Sequence, residues 1–107
     1  MKRASTILAA LFAMSVLPAL AATTHSGWIS DSMCGAKMAG GTAKDQACVS
    51  KCIANGQKPV FVDTKNEVWS IDNPDAVKDF YGDHVRVRVT EDASNKSVHI
   101  DSIAAAK

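Results

Sequence analysis

The sequence has few aromatic side chains, few prolines and no excess of charge of one sign. Aromatic residues make up 6% of the 107 residues, only three residues are proline, and 12 basic residues stand against 11 acidic ones, for a net charge of +1. Such a balance argues against nucleic acid, or an anionic membrane, as a partner held by bulk charge. Internal repeats are also missing, so we expect one small domain with a modest core.

Motifs that would announce catalysis are missing as well. The chain contains no G-x-S-x-G, no glycine-rich phosphate loop and no H-E-x-x-H. It has no C-x-x-C at a helix start, which would lower a thiol pKa, and no C-x-x-C-H for covalent haem. We therefore expect no catalytic residue, no enzymatic activity and no cofactor, with a soft transition metal as the alternative.

The first residues have the organisation of a signal peptide. Lys2 and Arg3 precede an apolar run from Ile7 to Leu17, and Ala19-Leu20-Ala21 is a small-x-small cleavage site. The run is shorter than the ~20 residues that a membrane span requires. We expect cleavage after Ala21, which leaves one domain at 22–107 that is periplasmic or extracellular, without stable membrane insertion.

The apolar periodicity of the remaining chain predicts five strands and two helices. The order is strand, helix, strand, strand, short helix, strand, strand, over 26–30, 43–54, 59–63, 67–71, 74–81, 84–89 and 98–103. Thr42 and Asn55-Gly56 delimit the first helix, and Asn73-Pro74 begins the second. This order predicts a mainly β (α+β) fold, a small five-stranded OB-like barrel with an extra helix after the first strand. A ferredoxin-like sheet with one added strand is the alternative.

The last two strands form a predicted antiparallel hairpin. Keeping apolar side chains opposite each other pairs Val87 with Ile100 and sets Arg86 across from Asp101. The outer face of this hairpin could bind a small anion, although a solvated face is the simpler interpretation. Its candidate residues are His84, Arg86, Arg88 and His99.

Three cysteines, an odd number, lie between the first strand and the end of the first helix. Cys48 and Cys52 share a helix face and point the same way, so a bond between them would be strained. A bridge from Cys34 to Cys48 or Cys52 is easier, and closing that loop would stabilise the fold by ~3 kcal/mol. The third cysteine would be buried, or exposed and able to link two copies in a disulfide-bonded dimer.

A metal site is the alternative use of these thiols. Sulfur ligands with methionine would suit Cu(I), and cysteine with histidine would suit zinc. The candidate ligands are the thiols of Cys34, Cys48 and Cys52, completed by Met38, His25 or Asp31. Thiol–disulfide chemistry is the third hypothesis, weakened by the missing C-x-x-C.

The chain resembles a group of small secreted bacterial proteins of unknown function. The similarity rests on Gly27-x-Ile29-x-Asp31-x-x-Cys34-Gly35, Cys48-x-x-x-Cys52, Gly56, Val85-x-Val87-x-Val89 and Ile100-x-x-Ile103. It implies export and a small β-barrel, with no established activity. A histidine often stands four residues after the first cysteine in that group; Met38 occupies this position here, which weakens a ligand role for it. Our leading hypothesis is an exported binding or envelope-associated module stabilised by a disulfide, whose partner is a small ligand or an envelope protein.

Overall fold

A computed structural model describes residues 22–106. The predicted signal peptide and its cleavage site after Ala21 lie outside the described residues. Within them, no helix has the length and apolar character needed to cross a membrane.

The described chain forms five strands, one α-helix and two short 3-10 turns. The bounds are β1 (Ala22–Asp31), a first 3-10 turn (Gly35–Met38), α1 (Ala43–Ala54), β2 (Pro59–Asp63), β3 (Val68–Ile71), a second 3-10 turn (Pro74–Val77), β4 (His84–Asp92) and β5 (Ser97–Ala105). The five strands follow one another along the chain in the predicted order, with α1 between the first two. β1 begins four residues earlier than the periodicity indicated, because it pairs with β4 from Ala22 onward.

The five strands close into a barrel in the order β1-β2-β3-β5-β4, with β4 returning to β1. All neighbours are antiparallel except β3 and β5, which run parallel at Ser70–Ser97 and Ile71–Val98. Closure gives every strand of the barrel two neighbouring strands. This architecture is compatible with an OB-like barrel, and the open sheet of the ferredoxin-like alternative is not found.

The core fills the barrel with the inward side chains of alternating strand positions. Val85, Val87 and Val89 are fully buried while the intervening residues of β4 are exposed, as strict alternation requires. Phe61 reaches the interior beside Gly27, where a β-carbon would collide with the Phe61 ring and with the Val62 carbonyl. The glycine in β1 therefore makes room for the largest side chain of the core.

The predicted second helix is wrong. Residues 74–77 form only a 3-10 turn, and Phe80 donates its backbone N–H to the Val77 carbonyl at the i→i+3 spacing. Asn73 does not cap this turn; its side chain accepts from the backbone N–H of Ile100 and donates to the Ile100 carbonyl, both at 2.9 Å. The Asn73 side chain is thus bonded to β5 and does not cap the N-terminus of a longer helix.

The predicted register of the closing hairpin is also wrong. Val87 pairs with Ile103 and Val89 with Ile100, so Asp101 is an extra residue in a β-bulge and Arg86 faces Ala104. The bulge lets both Ile100 and Ile103 turn inward although they are three positions apart, which regular alternation cannot do. Asp101 accepts from the Thr90 hydroxyl instead of pairing with arginine.

The α-helix matches its prediction at both ends. The Thr42 side chain accepts from the Asp45 backbone N–H at 3.1 Å, and Gly56, at a φ of +105°, follows the C-terminal Asn55. Val49 is the one fully buried residue of this helix. The helix lies in the connection between β1 and β2, and the two ends of this connection meet at the end of β1. Cys48 and Cys52, which belong to the helix, therefore lie at one end of the barrel.

Candidate functional site

Asp31, the last residue of β1, organises the start of the following loop. Its side chain is fully buried. One carboxylate oxygen, Oδ1, accepts hydrogen bonds from the backbone N–H groups of Met33 and Cys34, each at 2.9 Å. This turn holds the Cys34 backbone against the carboxylate and so fixes the position of the cysteine three residues after Asp31.

Hydrogen bonds fix the same loop to the barrel. The Ser30 hydroxyl donates to the Gly35 carbonyl at 2.6 Å, and Gly35 takes a φ of +53° that a glycine adopts easily. On the other side, the Ser32 backbone N–H donates to the Lys58 carbonyl at 2.8 Å, which extends the β1–β2 pairing. The loop and the residues that follow α1 therefore lie side by side.

The C-terminal turn of α1 brings the second thiol to this loop. Cys52 is two residues before the end of the helix, and its carbonyl accepts from the Gln57 backbone N–H at 3.0 Å as the chain turns towards β2. The Cys34 sulfur, the Cys52 sulfur and a carboxylate oxygen of Asp31 all lie within 4.8 Å of one another. We call these three residues the Asp31–Cys34–Cys52 cluster.

The second carboxylate oxygen of Asp31 has no hydrogen-bond partner. Oδ2 is buried, and it is the one such atom found among the described side chains. An unsatisfied buried acceptor costs about 1–3 kcal/mol, and more when it carries charge. The carboxylate of Asp31 lies beside two thiols, so the cluster is a candidate site for a positively charged ligand.

The chemistry of Cys52 reflects the same crowding. Loss of solvent around the side chain raises the pKa of the Cys52 thiol, and the nearby Asp31 carboxylate and Cys34 thiol act in the same direction. A raised pKa favours the neutral thiol over the thiolate, which is the form that attacks disulfides or binds metal. A cation entering the cluster would reverse this preference.

No disulfide joins the three cysteines, which are free and half-buried. Cys34 and Cys52 are 4.4 Å apart, against ~2.05 Å for a sulfur–sulfur bond. Cys48 lies one helical turn before Cys52 and is not part of the three-ligand cluster. The bridge of Cys34 with Cys48 or Cys52 stays a prediction, and the geometry favours Cys52 as the partner.

The other candidate ligands have different positions. Met38 ends the first 3-10 turn and is half-buried. The His25 ring is hydrogen-bonded to the Glu91 carboxylate and, at 3.0 Å, to the Thr23 hydroxyl, away from the cluster. Between the carboxylate of Asp31 and the ring of His25, it is the carboxylate that lies close to the Cys34 and Cys52 sulfurs.

His25 instead lines a separate cavity of about 190 Å³ that opens between β1, β2, β3 and β4. Phe61 and Trp69 form its apolar part, and Asp63 accepts from the Trp69 indole N–H at 3.0 Å. Partial burial opposes ionisation of Asp63, but hydrogen bonds from the Glu67 backbone, the indole and the Lys65 backbone outweigh it and lower the pKa of the carboxyl. These bonds use both oxygens of Asp63 for the β2–β3 turn.

The predicted anion-binding face is divided among several local contacts. His84 stacks on Trp28 with ring centroids 4.8 Å apart, and His99 is held by Asp72 at 2.7 Å. Arg86 and Arg88 are exposed on the outer face of β4, beside Ser26 and Thr24 of β1. The two arginines share a face, whereas His99 is bonded to an acidic group, and the anion-binding role of the four residues stays a prediction.

The sequence indicated the cysteines and named Asp31 as one of several complements, but it did not indicate that Asp31 is buried and only half satisfied. An aspartate directly after a strand and three residues before a cysteine is the available signal. Comparisons with protein-family models, curated proteins and solved structures found no match to this chain. The resemblance to small secreted bacterial proteins therefore stays a prediction.

Proposed function

We propose that this protein is an exported, non-catalytic binding domain whose ligand is one thiophilic divalent metal ion of the zinc class. Asp31, Cys34 and Cys52 would be the ligands. The observation that carries the proposal is the buried, unpartnered Oδ2 of Asp31 next to two free thiols. A cation would satisfy this oxygen and stabilise both thiolates in one step.

The mixture of donor atoms favours zinc over copper. Zinc accepts thiolate sulfur together with carboxylate oxygen, and it binds four ligands in a tetrahedron. Cu(I) prefers sulfur from cysteine and methionine and gains little from a carboxylate. Three ligands come from the cluster; Cys48, Met38 or a water molecule would complete the set.

Two further features belong to the same proposal. The parallel β3–β5 closure and the helical turn between β3 and β4 support an OB-like barrel. The basic, apolar and small-residue order of the first 21 residues supports export by a cleaved signal peptide. An intact mass that corresponds to a chain beginning at Ala22 or Thr23 would agree with cleavage. A mature protein that still contains residue 1 would contradict it.

The test is a zinc titration of the reduced protein, monitored by calorimetry and by native mass spectrometry. We expect one zinc per chain, and a loss of affinity of at least 100-fold in Asp31→Asn, Cys34→Ser and Cys52→Ser. Asp83→Asn is the matched carboxylate control, since Asp83 is half-buried and accepts from the Gln46 side chain at 2.8 Å outside the cluster. Its zinc affinity should equal that of the wild type.

The same panel separates the alternatives. A Cu(I) titration is run in parallel. If Asp31→Asn binds Cu(I) as tightly as the wild type does, and zinc binds only weakly, the proposed ligand is copper rather than zinc. Cys48→Ser should reduce zinc affinity less than either cluster cysteine does, unless Cys48 supplies the fourth ligand. Absence of stoichiometric binding of either ion to the reduced wild type would contradict the proposal.

A further inference from the structure

We infer that Cys34 and Cys52 form a redox gate on the metal site: oxidation joins the two sulfurs, removes both metal ligands and releases the ion. This inference rests on the proposed function, because it assigns a regulation to the same cluster. It also gives the disulfide and the metal hypotheses one mechanism, with two mutually exclusive states of the same thiols.

The geometry permits both states without a change of fold. A metal ion needs the two sulfurs apart, at the spacing of ligands around one centre, whereas a disulfide needs them ~2.05 Å apart. From the present 4.4 Å separation, bridging requires an approach of about 2.4 Å. Cys34 lies in a turn between β1 and the first 3-10 turn, outside any strand or α-helix, while Cys52 is fixed in α1. Hydrogen bonds hold the backbone at Cys34 as well, so rotation of the two cysteine side chains would supply the approach.

The two states exclude each other chemically. Metal binds thiolate sulfur, and a sulfur in a disulfide no longer carries that charge. Asp31 would be the remaining ligand of the cluster after oxidation, and one carboxylate does not hold zinc against water. Conversely, a bound ion occupies the sulfur lone pairs that attack an oxidant, so the loaded protein resists oxidation.

The oxidant is a disulfide, either a small molecule or a protein. One cysteine sulfur attacks a sulfur of the oxidant, breaks its sulfur–sulfur bond and releases one thiolate; the other cysteine then attacks the mixed disulfide and releases the second. Two electrons pass from the cysteine pair to the oxidant. The metal leaves as the divalent ion, and the released thiolates take up protons from water. Both cysteines are half-buried, so each is partly accessible to such a reagent.

The experiment uses the whole protein, first reduced and loaded with zinc, then exposed to mixtures of reduced and oxidised glutathione. Released zinc is measured with a chromophoric chelator, and disulfides are mapped by alkylation and peptide mass. We expect one zinc released per Cys34–Cys52 bridge, and oxidation at least ten-fold slower for the loaded protein than for the metal-free protein. Asp83→Asn, outside the cluster, should behave as the wild type in both measurements.

The outcomes distinguish the gate from the function beneath it. If the reduced protein binds no zinc, the proposed function fails, whatever disulfide forms. If zinc binds but oxidised protein keeps it, or the mapped bridge involves Cys48, the gate is wrong and the metal site stands. If loading does not slow oxidation, the metal and the disulfide do not compete for these sulfurs, and the gate is again wrong.

Discussion

Replacing Asp31 by asparagine exchanges one oxygen of the cluster for an NH₂ group and leaves its shape unchanged. The amide oxygen can still accept the two backbone N–H bonds from Met33 and Cys34. The unpartnered Oδ2, together with the negative charge, is lost. The substitution therefore separates the stability of the loop from its capacity to bind a cation.

Without metal, two opposing terms decide the effect on stability. Removing the charge of Oδ2 is favourable, but the NH₂ group that replaces it is also buried without a partner, so the change should recover only about 1 kcal/mol. Replacing two charge-assisted hydrogen bonds by neutral ones should cost about 1–2 kcal/mol in total. The metal-free variant should thus be as stable as the wild type to within about 1 kcal/mol, although a fully buried residue has been changed.

With zinc present, the wild type and Asp31→Asn should differ in thermal stability. Zinc at 100 times its dissociation constant stabilises the wild type by about 2.7 kcal/mol, which raises the Tm of a domain of this size by about 11–22 °C. A 100-fold weaker variant at the same zinc concentration gains only about 0.4 kcal/mol, or about 2–3 °C.

The assay is thermal unfolding followed by far-UV circular dichroism, in a phosphine reductant, with and without zinc. Asp83→Asn, measured in parallel, should show the full zinc-dependent shift. Equal shifts in the wild type and Asp31→Asn would refute the role of the carboxylate. A metal-free Asp31→Asn protein less stable by more than about 2 kcal/mol would show that Oδ2 is already satisfied in the folded protein, against the penalty assumed here.

Two further predictions concern the barrel. The folded pKa of Asp63 is lowered, so its contribution to stability is present above the unfolded pKa and disappears as the pH falls through the folded value. Asp63→Asn should therefore cost about 1 kcal/mol at pH 7 and nothing once the pH is below the folded pKa. Urea unfolding across pH, with the exposed Asp79→Asn as control, measures this difference. Gly27→Ala should destabilise the barrel by about 3 kcal/mol, since its β-carbon would meet the Phe61 ring and a backbone carbonyl. The control Ser26→Ala, in the same strand, should change the stability by no more than about 0.5 kcal/mol. A Gly27→Ala protein as stable as the wild type in chemical unfolding would contradict this packing.

The sequence by itself determined the features that depend on neighbouring residues. The helix from Ala43 to Ala54 follows from its capping threonine and its terminal glycine, which act within one turn. The strand at 84–89 follows from strict alternation, since one side of a half-buried strand must be apolar. These signals are local, and the order of the elements could be derived from them.

Only the tertiary structure decided the features that depend on distant pairing. The spacing of Ile100 and Ile103 conflicts with alternation, and the bulge at Asp101 resolves the conflict only when β4 is beside β5. Asn73 reads as a helix cap, yet the partner that occupies its side chain is Ile100, 27 residues later. A local signal cannot include the competing partner that the fold provides.

The cluster illustrates both parts. The sequence supplied Cys34 and Cys52, with their thiols, and the Asp-x-x-Cys turn that presents one of them. The closed barrel brought the end of β1 against the end of α1 and removed water from Asp31, and so left one oxygen without a partner. Burial and hydrogen-bond satisfaction are properties of the packed chain, so the feature that supports the proposed metal site exists only after folding.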